Sequence, residues 1–164
     1  MTQPAYVALG SNLADPLQQV RSALAALATL PDTTRIAHSS LYLSAPLGPP
    51  EQPDYINAVC QLATCLSAEQ LLDRLLEIEN QHGRIRGVER WGPRTLDLDL
   101  LLYGGMQLQT AHLTLPHPRL HERSFVLYPL YELAPALIIP GHGALAELIK
   151  RCPAQGLRKH DEQT

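Results

Sequence analysis

The chain has 164 residues, 45% hydrophobic and 18% charged, with a formal net charge of −3. That length makes one domain with its own core, and the lean negative charge excludes a polybasic nucleic-acid or membrane binder judged on charge alone. Fourteen prolines, against the roughly eight that a usual ~5% would give, call for several fixed loops.

Ala5 to Leu9 is an apolar run that breaks at Gly10-Ser-Asn, which reads as a strand entering a turn. Asp15-Pro16 then has the form of an N-cap with proline at the first helical position. Leu17, Val20, Leu24, Leu27 and Ala28 follow at helical spacing until Pro31 stops them. Ile36 to Leu43 reads as a strand. Ala45 to Asp54 carries four prolines and a glycine and reads as a stiff loop. Tyr55 to Thr64 forms a further strand pairing back. Ser67-Ala-Glu-Gln70 is a capping box opening a helix with Leu71, Leu72, Leu75 and Ile78 on one face, closed by Gly83.

After a polar stretch from His82 to Arg94, Leu96 to Tyr103 reads as a strand, and Gly104-Gly105 as a turn into a short Met106–Leu108 strand. Phe125 to Leu133 is expected to be helical despite Pro129, and Leu145 to Arg151 a last short helix. The order β-α-β-β-α-β is the ferredoxin-like pattern, an α/β (α+β) class fold of one antiparallel sheet with helices packed on it and small C-terminal additions. Residues 1–152 are read as a single domain and 153–164 as a polar, flexible tail. The sequence holds no run of ~18 apolar residues to span a membrane. No basic region precedes an apolar stretch at the start, so no signal peptide is expected. Cys60, Cys65 and Cys152 form no C-x-x-C pair and read as reduced thiols, Cys60 and Cys65 packed as small hydrophobes, in a cytoplasmic protein.

The sharpest chemical feature is Arg94-Thr-Leu-Asp97-Leu-Asp99. On a strand, residues two apart share a face, so both carboxylates point one way and the leucines between them point to the core. Two carboxylates on one rigid element are what Mg²⁺ uses, leaving other positions for water and substrate phosphates. Spacing alone equally allows two ordinary acids on a solvated face. Eleven of the 13 basic residues are arginines, and six of these fall between Arg84 and Arg123. A guanidinium grips phosphate oxygens in a two-pronged way that an ammonium does not. Acids and arginines together favour a phosphate site. Neither the P-loop nor the G-x-G-x-x-G pattern occurs, so nucleotide handling must come from arginine and metal. Trp91 in the arginine loop either closes over a ligand or packs on the rim. Tyr55 and Asn57 share a strand face that fits a planar heterocycle, although core packing is the default for Tyr55. The seven histidines show no zinc spacing, and His117, between two prolines, is the most constrained.

Several blocks together resemble hydroxymethyldihydropterin pyrophosphokinases of the folate pathway, over about Tyr6 to Pro135. They are Ala8-Leu-Gly-Ser-Asn-Leu13, Pro46-Leu-Gly48, Gln52-Pro-Asp-Tyr-Ile-Asn57, Gly83-Arg-Ile-Arg86, Arg90-Trp-Gly-Pro-Arg-Thr-Leu-Asp-Leu-Asp99 and Pro116-His-Pro-Arg119 followed by Arg123. The resemblance implies transfer of pyrophosphate from ATP to 6-hydroxymethyl-7,8-dihydropterin with release of AMP. It implies that Asp97 and Asp99 hold two Mg²⁺ ions. The pterin would lie between Tyr55 and Phe125, with Asn57 and the backbone around Ser44, Ala45 and Leu47 reading its edge. Arg84, Arg94, His117 and Arg123 would contact the triphosphate, and Leu100 would neighbour the adenine. Trp91 would close over the site with Arg84 and Arg94.

Three positions depart from some relatives: Ser44 stands for Thr, Gly87 for a basic residue and Pro118 for Tyr. The resemblance further implies a monomer without nucleic-acid or membrane partners. An RNA-binding module would need aromatic rings on the central strands where this chain has Leu-Asp-Leu-Asp. A metal-dependent phosphoesterase would release inorganic phosphate without pterin.

Overall fold

The computed structural model describes residues 2–12, 15–44, 54–82, 96–154 and 156–160. The first strand, β1 (Gln3–Ser11), alternates its side chains strictly: Ala5, Val7 and Leu9 go to one face of the sheet, Tyr6 and Ala8 to the other. Helix α1 (Pro16–Leu27) starts as its sequence predicts, with Pro16 in the first turn and the Asp15 side chain accepting from Gln18 N. It buries Val20, Ala23, Leu24 and Leu27, the 3.6-residue stripe.

The segment read as one strand from Ile36 to Leu43 is two, β2 (Thr33–His38) and β3 (Tyr42–Ser44). Ser39 causes the break. Its backbone N–H donates to Val59 O at 2.8 Å and its hydroxyl accepts from Val59 N at 2.9 Å, so the side chain replaces a rung of the ladder. Strand β4 (Tyr55–Thr64) pairs with β1, β2 and β3, all antiparallel. Helix α2 (Ala68–Gln81) opens with the complete capping box of Ser67 and Gln70 and ends at His82. Cys60 is fully buried, and burial pushes its thiol up to about 12, whereas Cys65, expected to pack inside, is exposed.

Strand β5 (Asp97–Tyr103) runs antiparallel along the other edge of β1. The register slips between Tyr6 and Val7, which face Leu102 and Leu100, so Leu101 is an extra, bulged residue. Beyond it, β6 (Leu108–Gln109) pairs with β7 (Thr114–Leu115), starting two residues later than the expected Met106–Leu108 strand. Helix α3 (Ser124–Leu133) accommodates Pro129 in its interior, and α4 (Leu145–Lys150) follows the hairpin of β8 (Ile138–Ile139) and β9 (Gly143–Ala144). Part of the segment read as a loose tail is an edge strand: β10 (Arg158–Lys159) pairs with β3.

The sheet order is β10-β3-β4-β1-β5, with β2 also on β4. Counting β2 and β3 as one broken strand, this is the ferredoxin-like order. Helices α1 and α2 cover one face, packing on Leu9, Ile56, Leu62, Leu98 and Leu100. The other face carries a second core, where Val126, Leu127 and Leu130 of α3 and Leu145 and Leu148 of α4 meet Tyr6, Val59, Leu101 and Leu102. No helix among the described residues is long and apolar enough to cross a membrane.

Candidate active site

The second face is closed at one end and hollow at the other, and the strand register says why. Gly10 stands directly between Asn57 on β4 and Asp97 on β5, and Ala8 between Val59 and Asp99. The two central positions of this floor are therefore the smallest side chains available, and polar groups flank them. A Cβ added at Gly10 would lie 3.2 Å from Asn57 Oδ1. Helix α3 roofs only part of this floor, leaving a cleft of about 200 Å³.

Around the cleft stand Ser44, Tyr55, Asn57, Asp97, Asp99, Arg123 and Phe125. Ser44 and Tyr55 are cross-strand partners. Asn57 is almost fully buried and donates from Nδ2 to Ser44 Oγ at 2.6 Å, which orients its amide with Oδ1 toward Gly10. Phe125 lies in the first turn of α3, so its ring reaches the cleft while the turns beyond it are buried. The Arg123 guanidinium carbon sits 5.6 Å from the Phe125 ring centre, a cation–π distance that holds the charge beside the ring.

Asp97 and Asp99 share the cleft face of β5 and are half-buried, while Leu96, Leu98 and Leu100 go to the opposite core. Two like charges this close need a compensating cation. Among the described residues no three His, Cys, Asp or Glu side chains gather into a metal cage. A donor set of two carboxylates suits a hard divalent ion that keeps waters and takes further oxygens from a phosphate substrate. The residues present fit Mg²⁺.

Leu98, between the two acids, donates its N–H to Glu79 Oε2 at 2.7 Å. Glu79 is 3% exposed and comes from α2. It was not singled out from the sequence, although its helical position gives a signal: it falls on the stripe of Leu71, Leu75 and Ile78 that the helix buries. An acid on such a stripe needs an internal partner, and the edge of β5 supplies one.

His117 is brought in by the bulge. Its N–H donates to Leu101 O at 2.9 Å, and its Nδ1 accepts from Arg119 N at 3.2 Å. Burial pushes its pKa down; the Asp99 charge opposes this, while Arg123 and Arg119 reinforce it. With Nδ1 occupied as an acceptor, the neutral ring carries its proton on Nε2. Leu100 is not part of the cleft lining: its side chain is buried against α1 and α2 on the far side of the sheet. Arg84, Trp91, Arg94, Ala45 and Leu47 lie outside the described residues.

The family model for 7,8-dihydro-6-hydroxymethylpterin-pyrophosphokinase matches residues 6–135. The chain is 50% identical over 147 residues to the 2-amino-4-hydroxy-6-hydroxymethyldihydropteridine pyrophosphokinase of Haemophilus influenzae, covering 90% of this chain and 91% of that one. It is also 50% identical over 159 residues to the protein of the same name from Pseudomonas aeruginosa, covering 97% and 98%. A solved Plasmodium falciparum HPPK-DHPS triple mutant with STZ-DHP superposes with a TM-score of 0.73 at 11% identity, over 92% of this chain and 43% of that longer one. At that identity the likeness carries the fold.

Proposed function

This chain belongs to the 7,8-dihydro-6-hydroxymethylpterin-pyrophosphokinase family, and we propose that its cleft binds 6-hydroxymethyl-7,8-dihydropterin beside the triphosphate of ATP and moves the pyrophosphoryl group between them. The observation that carries this reading is the cross-strand row Asn57–Gly10–Asp97. It sets a flat, hydrogen-bonding slot directly against a carboxylate pair, with no bulky side chain between.

In this reading the pterin ring lies between Tyr55 and Phe125. Asn57 Oδ1 accepts from the ring edge, its amide kept in that orientation by Ser44. The backbone at Ala45 and Leu47 is assigned the rest of the edge by family resemblance. The substrate hydroxyl then points toward Asp97 and Asp99. Its oxygen forms a bond to the β-phosphorus and gives up its proton to water, the bond from that phosphorus to the oxygen bridging to the α-phosphate breaks, and AMP leaves with the electron pair. Two Mg²⁺ ions on Asp97 and Asp99 would neutralise the phosphate charge.

Arg123, fixed beside the ring, and His117, donating from Nε2, bind phosphate oxygens. Arg84 and Arg94 are assigned the triphosphate, and Trp91 a place over it, by resemblance. Adenine contact at Leu100 is limited to its backbone, since its side chain faces the other core. Such chemistry asks for positioning and electrostatics more than for a strong base.

The test mixes the protein with ATP, Mg²⁺ and the hydroxymethyl pterin and follows AMP. Pterin-dependent AMP is the expected result. AMP no higher than in the pterin-free control would sink the reading, and inorganic phosphate released without pterin would favour a phosphoesterase.

A further inference from the structure

At the far end of α3 from the cleft, one carboxylate gathers an unusual number of donors. Glu132 Oε2 accepts from Ser40 N at 2.8 Å and from Ser40 Oγ at 3.0 Å, and Oε1 accepts from Tyr42 OH at 2.7 Å. Lys159 Nζ of β10 lies 4.0 Å from Oε1. Three hydrogen bonds and a cation therefore tie the last turn of α3 to the start of β3 and to the edge strand beside it.

Both ends of this tie lead to the pterin slot. Along α3, Phe125 and Glu132 are seven residues apart, so they lie on the same helix face about 10 Å from each other. Along β3, Tyr42 and Ser44 share a face, and their direct partners on β4 are Asn57 and Tyr55. The slot is bounded by Phe125 on the helix side and by Ser44, Tyr55 and Asn57 on the sheet side. Its width is thus the separation of α3 from the β3–β4 pair.

We propose that Glu132 is a positioning residue for the pterin: by clamping α3 onto Ser40 and Tyr42 it sets the gap between Phe125 and the Tyr55–Asn57 strand. The proposal rests on the reading of the cleft given above. The charge state agrees with it. Burial pushes the Glu132 carboxyl up, but the bonds from Tyr42 and Ser40 and the charge of Lys159 outweigh it, and the group lies below the usual carboxylate range. Tyr42 is pushed up by burial and by the same carboxylate, so it stays a donor. A hydroxyl donating to a carboxylate is among the stronger neutral-to-charged hydrogen bonds. Helix α3 has no capping side chain at its N-terminus, so its cleft end depends on being held elsewhere.

The experiment compares steady-state kinetics of the wild type with Glu132→Ala, Glu132→Gln, Tyr42→Phe and the Glu132→Ala/Tyr42→Phe pair, each checked for folding by circular dichroism. For Glu132→Ala the expected result is a rise of about tenfold in the pterin KM, with the ATP KM and kcat within about twofold. Glu132→Gln recovers part of this, because its amide oxygen still accepts from Ser40, and Tyr42→Phe alone costs about threefold. The double variant is no worse than Glu132→Ala, since both changes remove the same bond. A folded Glu132→Ala with an unchanged pterin KM, or with both KM values raised alike, overturns the proposal. If Glu132→Ala does not fold, a folded Tyr42→Phe with an unchanged pterin KM overturns it instead. Amide exchange at Val126 and Leu127 separates the two layers of the argument. Faster exchange there in Glu132→Ala shows that the clamp holds the wall. A wild type without pterin-dependent AMP shows that the wall is not one of a pterin slot.

Discussion

The two faces of the sheet are built from the same three strands, β1, β4 and β5, one residue apart. Toward α1 and α2 point Ala5, Val7 and Leu9, then Ile56, Ala58, Cys60 and Leu62, then Leu98 and Leu100, and all of them are buried. Toward α3 point Tyr6, Ala8 and Gly10, then Tyr55, Asn57 and Val59, then Asp97 and Asp99. Half of that second face, at Tyr6, Val59 and Leu101, is packed as tightly as the first. The other half is small at its centre and polar at its sides. A period of two thus lets one short strand supply both a core and a site. Stability and chemistry are then separable by single substitutions, because neighbouring residues belong to opposite faces.

The most forceful way to break that division is to alter one acid. Asp97→Ala is expected to lower AMP formation by about a thousandfold or more, since a carboxylate that holds a divalent ion on a phosphate contributes several kcal/mol. Its circular dichroism should remain that of a folded protein, because Leu96, Leu98 and Leu100 still fill the opposite core. An active Asp97→Ala, or one that unfolds, would mean that the two faces are not divided in this way. The converse change is Leu75→Ala on α2, fully buried in the opposite core. It should cost about 2–5 kcal/mol in a urea titration. Both KM values should nonetheless stay as in the wild type under conditions where the protein remains folded. A changed pterin KM would show that the helices α1 and α2 shape the cleft through the sheet.

The features legible in the sequence were those governed by local chemistry or by a clean period. Asp15-Pro16 and the Ser67–Gln70 box start their helices as written, because capping depends on residues within one turn. The Leu-Asp-Leu-Asp alternation places both acids on one face whatever strands pair beside it. Where a feature depends on a distant partner, the pattern was silent. Three consecutive leucines after Asp99 hide the bulge at Leu101, whose carbonyl is what brings His117 to the site. Ser39 looks like any strand serine until Val59 lies beside it. Arg158 and Lys159 join the sheet through backbone bonds to β3, and no alternation of side chains announces that. The same alternation that exposes the acids also puts the Leu100 side chain into the opposite core, so the adenine contact that family resemblance suggests there is left to its backbone.

The finest test of the division lies at its thinnest point, Gly10, which sits in the strand between Asn57 and Asp97. Its φ is outside the left-handed region, so the backbone itself accepts alanine. Two effects then compete. Alanine removes unfolded-state freedom that glycine possesses, which stabilises by roughly 0.4–1 kcal/mol. Its methyl meets Asn57 Oδ1 at 3.2 Å, tighter than an ordinary contact, and the amide must turn or shift by a few tenths of an ångström. Asn57 is held from behind by its bond to Ser44, so the shift falls on the atom proposed to read the pterin. Gly10→Ala is therefore expected to leave the thermal midpoint unchanged or raised while increasing the pterin KM about two- to fivefold, a loss below about 1 kcal/mol. The opposite signs are the informative part. A lower midpoint with an unchanged KM would mean that the cramped atom belongs to the fold and not to the slot, and glycine would be there for packing alone.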